Sequence, residues 1–158
     1  MNCDSETSFP YWSLPAGKDQ YGNEVSLSQF NGAVILIDLS AGWCGPCKTV
    51  AATAEEMYQK HKANGFIIIH NLIDDFTYGG GITDPEFLTD WANEYNITFP
   101  VMQEYNDATK AGLRDSGLYE GYIPYMVLLD QDRKIIGSWT GGNVEEEIEA
   151  KLEEIFGD

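Results

Sequence analysis

The chain has 158 residues, enough for one domain with one hydrophobic core, and 43% of them are hydrophobic and 13% aromatic, which excludes an intrinsically disordered protein. Its 26 acidic residues outnumber its 9 basic residues and give a formal net charge of −17, which argues against binding to nucleic acids or anionic membranes. No stretch approaches the roughly 18 consecutive apolar residues that a transmembrane helix needs.

The N-terminal part of the chain is rich in polar residues and prolines. We expect residues 1–19 to form an extended lead-in to a single domain at 20–158. Residues 21–27 predict a tight turn and a short strand, and Ser28 is a candidate cap for one helical turn. Cys3 is either an unpaired terminal thiol or the lipid-modified first residue of an exported lipoprotein.

The next elements place two cysteines at the start of a helix. Residues 33–39 are apolar and β-branched and predict a buried central strand, and a helix is expected from about 46 to 62. The free N–H groups and positive dipole end of that helix favour a thiolate over a thiol. Only the thiolate attacks a disulfide, so Cys44, at the exposed helix start, is the predicted nucleophile. Cys47, one turn inward, is the predicted resolving thiol.

A second apolar run, residues 66–73, completes a right-handed βαβ unit with the first strand and its helix. Residues 74–100 are an insert. Within it, Thr83 as cap, Pro85 at the first helical position and Glu86 predict a helix over 83–96.

The C-terminal part of the chain begins with a short helix predicted over residues 106–113. Two strands at 125–129 and 134–140 read as an antiparallel hairpin, because only a four-residue turn separates them. A final acidic helix follows, with these residues expected to face the core: Val144, Ile148, Leu152, Ile155 and Phe156.

These elements and motifs together resemble the thioredoxin fold. The sequence Trp-Cys-Gly-Pro-Cys-Lys at 43–48 matches the active site of that family, and Asp38 lies six residues before the first cysteine. Ile123-Pro124 stands at the position of the family's cis-proline, and a glycine at 141 or 142 follows the last strand. The lead-in hairpin and the insert are more similar to the TlpA/ResA branch of exported bacterial thiol–disulfide oxidoreductases. The resemblance implies an α/β fold with a mixed central sheet and helices on both faces. It also implies catalysis by the Cys44–Cys47 disulfide with no other cofactor and no metal.

The resemblance suggests how protons are handled. The branch often carries a glutamate one turn beyond the second cysteine, but here that residue is Val50. Asp38 is therefore the predicted proton acceptor for Cys47, or else a strand-end residue that caps a backbone group. We expect His70 beside Asp38 on the neighbouring strand. It either adjusts the pKa of Asp38 or carries protons, or else it is a histidine at the edge of the core with a backbone partner.

Client binding is expected around the first cysteine. A cis X–Pro bond exposes a backbone edge that can pair with an extended client segment. The candidate substrate-binding residues are Trp43, Gly45, Pro46, Ile123 and Pro124, and Tyr122 either joins them or packs without contacting clients. The expected partners are a disulfide-bearing client protein and an upstream electron-donor protein, and the chain itself is expected to be a monomer.

The residues between the two cysteines, Gly45-Pro46, favour a reductant, with a potential nearer the about −270 mV of thioredoxin than the about −120 mV of a strong oxidant. A dithiol oxidase and a non-catalytic binding module remain as alternatives. A structural zinc site lacks a second ligand pair, since His61 and His70 are distant from the cysteines in sequence. A peroxidase would need a Thr-x-x-Cys motif, which the 43–48 segment does not offer.

The sequence is compatible with two cellular locations. The insert and the TlpA/ResA resemblance favour the bacterial periplasm or another extracytoplasmic location, with Cys3 as a possible lipid anchor. The polar segment 1–9, which lacks the charged and apolar regions of a signal peptide, favours the cytoplasm.

Overall fold

The computed structural model describes residues 17–77, 81–103 and 121–157. Within these ranges the strands are β1 (Gly17–Lys18), β2 (Glu24–Val25), β3 (Val34–Ala41), β4 (Phe66–Asp74), β5 (Val101–Gln103), β6 (Tyr125–Leu129) and β7 (Ile135–Thr140). The α-helices are α1 (Gly45–His61), α2 (Phe87–Glu94) and α3 (Glu145–Phe156). Two short 3-10 turns lie at Leu27–Phe30 and Lys62–Asn64. Cys3 and the helix expected at 106–113 fall outside the described residues.

The centre of the fold is a five-stranded mixed sheet in the order β5-β4-β3-β6-β7. Strand β3 pairs in parallel with β4 and antiparallel with β6. Every residue of β3 is buried, because this central strand is covered on both faces of the sheet. The predicted α/β class and mixed sheet are confirmed.

The β3–α1–β4 unit supplies the central strands and the helix that carries the cysteines. Its boundaries match the predicted apolar runs within two residues at each end. Helix α1 ends in a 3-10 turn, after which Gly65 adopts a left-handed conformation with φ of 88° and starts β4. This unit fixes the cysteines at the point where β3 ends.

The two-stranded sheet of β1 and β2 corresponds to the lead-in hairpin, although Gly17 and Lys18 fall in the expected lead-in. The Asp19 carboxylate accepts hydrogen bonds from two backbone N–H groups of the turn, those of Tyr21 and Asn23. The predicted cap at Ser28 is wrong. The 3-10 turn starts after Ser26, and the Ser28 hydroxyl lies 2.9 Å from that of Ser26 instead of bonding a backbone N–H.

The insert helix begins later than the sequence predicts. Helix α2 starts at Phe87, not Thr83, because both the N–H and the hydroxyl of Thr83 donate to the carboxylate of Asp75. The segment between them instead forms a turn in which the Asp84 side chain accepts from the N–H of Glu86 at 2.9 Å. A long-range carboxylate therefore outcompetes the local capping motif.

The C-terminal hairpin and helix follow the prediction. Strands β6 and β7 pair antiparallel, and Ile148 and Leu152 of α3 are fully buried. Ile155 and Phe156, expected inside, are only half-buried at the edge of the core. No helix in the described ranges is long and apolar enough to span a membrane.

Candidate active site

Cys44 and Cys47 form a disulfide at the N-terminus of α1, with their Cα atoms 5.2 Å apart. Cys44 is the residue that precedes the helix, and its Sγ accepts a hydrogen bond from the backbone N–H of Cys47 at 3.2 Å. The first sulfur is thus held at the positive end of the helix dipole, the environment that stabilises a thiolate. Cys44 keeps 5% of its surface exposed and Cys47 none, so of the two only Cys44 can be approached from solvent.

The loop between β3 and α1 is held by the loop that follows β4. The indole Nε1 of Trp43 donates to the Asp74 carboxylate at 2.7 Å, and the Thr77 hydroxyl donates to the other oxygen of Asp74 at 2.8 Å. Gly42 is packed so closely that a Cβ there would lie 2.7 Å from the Asp75 carbonyl oxygen. Residues outside the 43–48 motif, at the end of β4 and just after it, therefore hold the backbone beside the disulfide in place.

Asp38 lies on β3, buried with 1% of its surface exposed. Burial raises the pKa of its carboxyl from 3.8 to about 7, opposed by a hydrogen bond from the Ser40 hydroxyl at 2.8 Å. A carboxyl with a pKa near neutrality can both take up and release a proton at physiological pH. This is the property that a proton acceptor for a resolving thiol needs.

His70 lies directly opposite Asp38 in the β3–β4 register. Its Nε2 is 3.3 Å from the Asp38 carboxylate, and the indole N–H of Trp91 donates to its Nδ1 at 3.2 Å. The expected proximity to Asp38 is thus present, and the partner at Nδ1 is a side chain, not the backbone. Burial lowers the pKa of His70 to about 3, so the ring is neutral near pH 7.

Two further segments lie beside the disulfide: the one that precedes β6 and the one that follows β7. The Ile123–Pro124 peptide bond is cis, and the Pro124 carbonyl accepts from the N–H of Gly141 at 3.0 Å. A Cβ on Gly142 would lie 3.1 Å from both the Cβ and the carbonyl oxygen of Pro46. The end of the hairpin therefore lies against Pro46, one of the two residues between the cysteines.

The predicted client-binding residues differ in exposure. Gly45 and Pro46 are exposed, Trp43 and Ile123 are half-buried, and Pro124 is buried. Tyr122, for which ordinary packing was the alternative, has 68% of its surface exposed. An aromatic ring with that exposure is available to a partner.

The sequence analysis did not single out the acidic pair Asp74 and Asp75 or the exposed Phe76, because all three were assigned to a loop of the insert. Burial alone would raise the pKa of Asp75, but the hydrogen bonds from Thr83, Thr77 and Asp84 outweigh burial and hold it well below its usual range. Phe76 is 63% exposed and packs edge-on against Phe87, and the Lys48 ammonium lies 5.9 Å from its ring centre. The available signal was two consecutive acids directly after a buried strand.

Metal binding has no support in this geometry. Within residues 17–77, 81–103 and 121–157, no group of three or more His, Cys, Asp or Glu side chains is arranged to hold a metal ion.

Comparisons with known proteins agree with this geometry. The Redoxin family model matches residues 6–155. The thiol-disulfide oxidoreductase ResA of Bacillus thuringiensis (strain Al Hakam) is 28% identical over 138 residues, which cover 87% of this chain and 72% of that protein.

Two solved structures share the fold. The thioredoxin domain of a thiol-disulfide oxidoreductase from Bacteroides vulgatus superposes with a TM-score of 0.67 at 23% identity, covering 87% of this chain and 92% of that one. A secreted thiol-disulfide isomerase from Corynebacterium glutamicum gives a TM-score of 0.75 at 16% identity, covering 92% and 86% respectively.

Proposed function

This chain belongs to the redoxin family, as a thioredoxin-fold protein of the TlpA/ResA type, and from that premise we propose that it is a thiol–disulfide oxidoreductase that reduces disulfides in client proteins. The observation that carries the proposal is the Cys44–Cys47 disulfide at the N-terminus of α1, with the buried Asp38 on the strand that leads into it.

In the first step, the reduced protein attacks a client disulfide. The Cys44 thiolate bonds to one client sulfur, the client S–S bond breaks, and the other client sulfur leaves as a thiolate that takes a proton from solvent. The product is a mixed disulfide between Cys44 and the client.

In the second step, Cys47 resolves the mixed disulfide. The Cys47 thiol gives its proton to Asp38, its sulfur attacks the Cys44 sulfur, and the client sulfur leaves as a second thiolate. The client has gained two electrons, and Cys44–Cys47 is now the disulfide. A donor protein with a dithiol supplies two electrons to reopen it, which closes the cycle.

We assign client recognition to the residues that surround Cys44 at the protein surface. An extended client segment would pair with the backbone edge before Pro124, and its side chains would contact Trp43, Tyr122 and Ile123. The exposed Tyr122 and the half-buried Trp43 support this assignment, because exposed aromatic rings supply much of the energy at protein interfaces.

The proposal also covers the domain organisation, the oligomeric state and the cellular location of the protein. Residues 20–158 would act as one domain and one monomer, with the 1–19 segment as a lead-in. An extracytoplasmic location is in keeping with the structurally similar thiol-disulfide isomerase of Corynebacterium glutamicum, which is a secreted protein. In the finer form of the proposal, Cys3 is a lipid anchor. Fractionation of cells that express the full-length gene decides between this location and the cytoplasm.

Reduction of insulin by dithiothreitol, followed as turbidity, tests the activity. The wild type should accelerate the reaction, and Cys44→Ser should abolish that acceleration. Cys47→Ser should accumulate a mixed disulfide with insulin, because the first step remains possible and the second does not. Cys3→Ser is the matched control, since it removes a thiol elsewhere in the chain. A Cys44→Ser protein as active as the wild type would instead support a non-catalytic binding module.

The direction of electron flow needs a separate measurement. Equilibration in glutathione buffers gives the midpoint potential of the Cys44–Cys47 pair. A midpoint near about −270 mV agrees with a reductant, whereas one near about −120 mV would make the protein a dithiol oxidase.

A further inference from the structure

His70 occupies a position between the insert helix and the buried acid of the active site. Its Nδ1 accepts from the Trp91 indole of α2 at 3.2 Å, and its Nε2 lies 3.3 Å from Oδ2 of Asp38. The ring is completely buried, with the Phe99 ring packed edge-on at 4.7 Å between centroids. The side chain therefore has one fixed orientation with respect to both neighbours.

The contact with Trp91 decides where the ring carries its proton. An indole N–H donates and cannot accept, so the Nδ1 that faces it must present a lone pair. Burial keeps the ring neutral, and a neutral imidazole without a proton on Nδ1 carries it on Nε2. The N–H dipole of His70 is therefore on the side of Asp38.

The two oxygens of the Asp38 carboxylate have different neighbours. Oδ1 accepts from the Ser40 hydroxyl at 2.8 Å, and Oδ2 faces Nε2 of His70. Neither Oδ2 nor Nε2 has a hydrogen-bond partner in the described part of the chain, since they are close but not well aligned. A cavity of about 20 Å³ borders both residues.

We propose that Trp91 and His70 are positioning residues for Asp38: Trp91 fixes the proton of the neutral His70 ring on Nε2, and His70 presents that N–H to the carboxylate. The insert helix thereby stabilises the ionised form of Asp38, so that the acid is ready to accept the proton of Cys47. This inference rests on the role proposed for Asp38, but its first readout does not depend on activity.

The opposite tautomer shows why the arrangement matters. With the proton on Nδ1, two donors would face each other across 3.2 Å, and the Nε2 lone pair would point at the carboxylate. That arrangement would favour protonated Asp38 and weaken it as an acceptor. Trp91 excludes this state without touching Asp38.

Few other titratable groups act on Asp38. The α1 residues that line the shared cavity carry no charge, and β6 contributes the uncharged Met126. From α3, Glu145 lines the same cavity and is the one acid besides Asp38 among its lining residues. Titrations of Asp38 are therefore to be repeated in Glu145→Gln, which separates the effect of that carboxylate from the effect of His70.

The first test is nitrogen NMR of the oxidised wild type labelled at histidine. The chain has two histidines, and a His61→Gln sample assigns the signals. We expect Nε2 of His70 to give the signal of a protonated nitrogen and Nδ1 that of an unprotonated one, from pH 5 to pH 8. A proton on Nδ1, or a His70 that becomes charged within this range, would overturn the inference whatever the activity of the protein.

The second test follows the Asp38 carboxyl by carbon NMR in two variants. Trp91→Phe keeps an aromatic ring but removes the indole N–H, and His70→Phe removes the N–H that faces Asp38. Each should raise the titration midpoint of Asp38 by about one pH unit. Tyr95→Leu is the matched control, because it removes a ring that packs on Trp91 at 5.0 Å and leaves the indole N–H in place. Midpoints equal to the wild-type value in both variants would show that the pair is only structural.

The third test connects the pair to turnover. The pH at which resolution of the mixed disulfide reaches half its maximal rate should move upward with the Asp38 midpoint in Trp91→Phe. A rate that falls equally at every pH contradicts a positioning role and indicates loss of packing. If insulin reduction fails in the wild type while the His70 tautomer is as expected, the proposed function is wrong and the geometry stands.

Discussion

Replacing Asp38 with asparagine should make the protein more stable at neutral and alkaline pH. The carboxyl has a pKa of about 7 in the folded protein and an ordinary value of 3.8. Between these values the native state binds more protons than the unfolded state, so Asp38 lowers the free energy of unfolding as the pH rises. About three pKa units correspond to about 4 kcal/mol. The asparagine side chain has no charge to bury and avoids this loss.

The expected pH dependence also includes His70, whose pKa is lowered to about 3. An imidazole that is neutral in the native state but charged in the unfolded state adds stability as the pH rises from about 3 to 6.5. In the wild type the opposing slopes of Asp38 and His70 nearly cancel from about pH 4 to 6.5. In Asp38→Asn the His70 slope remains alone, so the stability of the variant rises over that range.

Urea unfolding of the oxidised proteins, followed by tryptophan fluorescence at pH 3.5, 6 and 8, measures the difference. Asp38→Asn should match the wild type at pH 3.5 and exceed it by about 4 kcal/mol at pH 8. Asp75→Asn is the matched control with the opposite sign, because the folded protein stabilises that carboxylate as an anion. Asp75→Asn should be destabilised at pH 8, with the loss shrinking as the pH falls. A gap between Asp38→Asn and wild type that stays constant from pH 3.5 to 8 would refute the assignment of a raised pKa.

Three further substitutions test the packing around the disulfide. Gly42→Ala should lower the free energy of unfolding by about 1–3 kcal/mol, because its Cβ would lie 2.7 Å from the Asp75 carbonyl, and an unchanged urea midpoint would contradict that close approach. Gly142→Ala should cost about 1 kcal/mol and slow insulin reduction, since its Cβ at 3.1 Å displaces Pro46; equal rates would show that Pro46 yields without consequence. Trp43→Phe should lower the free energy of unfolding by about 2 kcal/mol, because the partly buried Asp74 carboxyl loses the hydrogen bond from the indole N–H. A stability within about 0.5 kcal/mol of wild type in urea unfolding would contradict this.

The parts of the fold that the sequence predicted well are those set by hydrophobic pattern. The runs at 33–39 and 66–73 are almost entirely apolar, so they had to become central strands, and a single helix between them had to make the pair parallel. Once β3 and β4 were neighbours, the proximity of Asp38 and His70 followed from strand lengths. The hairpin and α3 followed from equally regular patterns.

The parts that the sequence did not predict depend on contacts between distant segments. Thr83 has the local sequence features of a helix cap. Its N–H and its hydroxyl instead donate hydrogen bonds to the carboxylate of Asp75, eight residues earlier. The indole of Trp91 reads as one more apolar residue on a helix face, and its donor finds His70 only because α2 packs beside β5. Capping motifs and amphipathic patterns describe a segment alone, so neither can report such competition.

Two of the three buried acids in the described chain, Asp38 and Asp75, have carboxyl pKa values that shift in opposite directions, although both side chains are buried. Asp38 is 1% exposed and Asp75 is 3% exposed, yet the pKa of the first is raised and that of the second is lowered. The difference lies in the donors. Asp75 accepts four hydrogen bonds from Thr77, Thr83 and Asp84, whereas Asp38 accepts one, from Ser40, and faces a second donor at 3.3 Å.

An acid with four donors is a permanent anion, suited to holding a loop in place but unable to take up a proton near neutral pH. An acid with no donor would stay protonated and could not accept the proton of Cys47. Asp38 has few hydrogen-bond donors around it, and its pKa of about 7 lies between those two cases. In the mechanism that we propose, proton transfer therefore depends on how few donors reach Asp38, and the contact between Trp91 and His70 would control one of them.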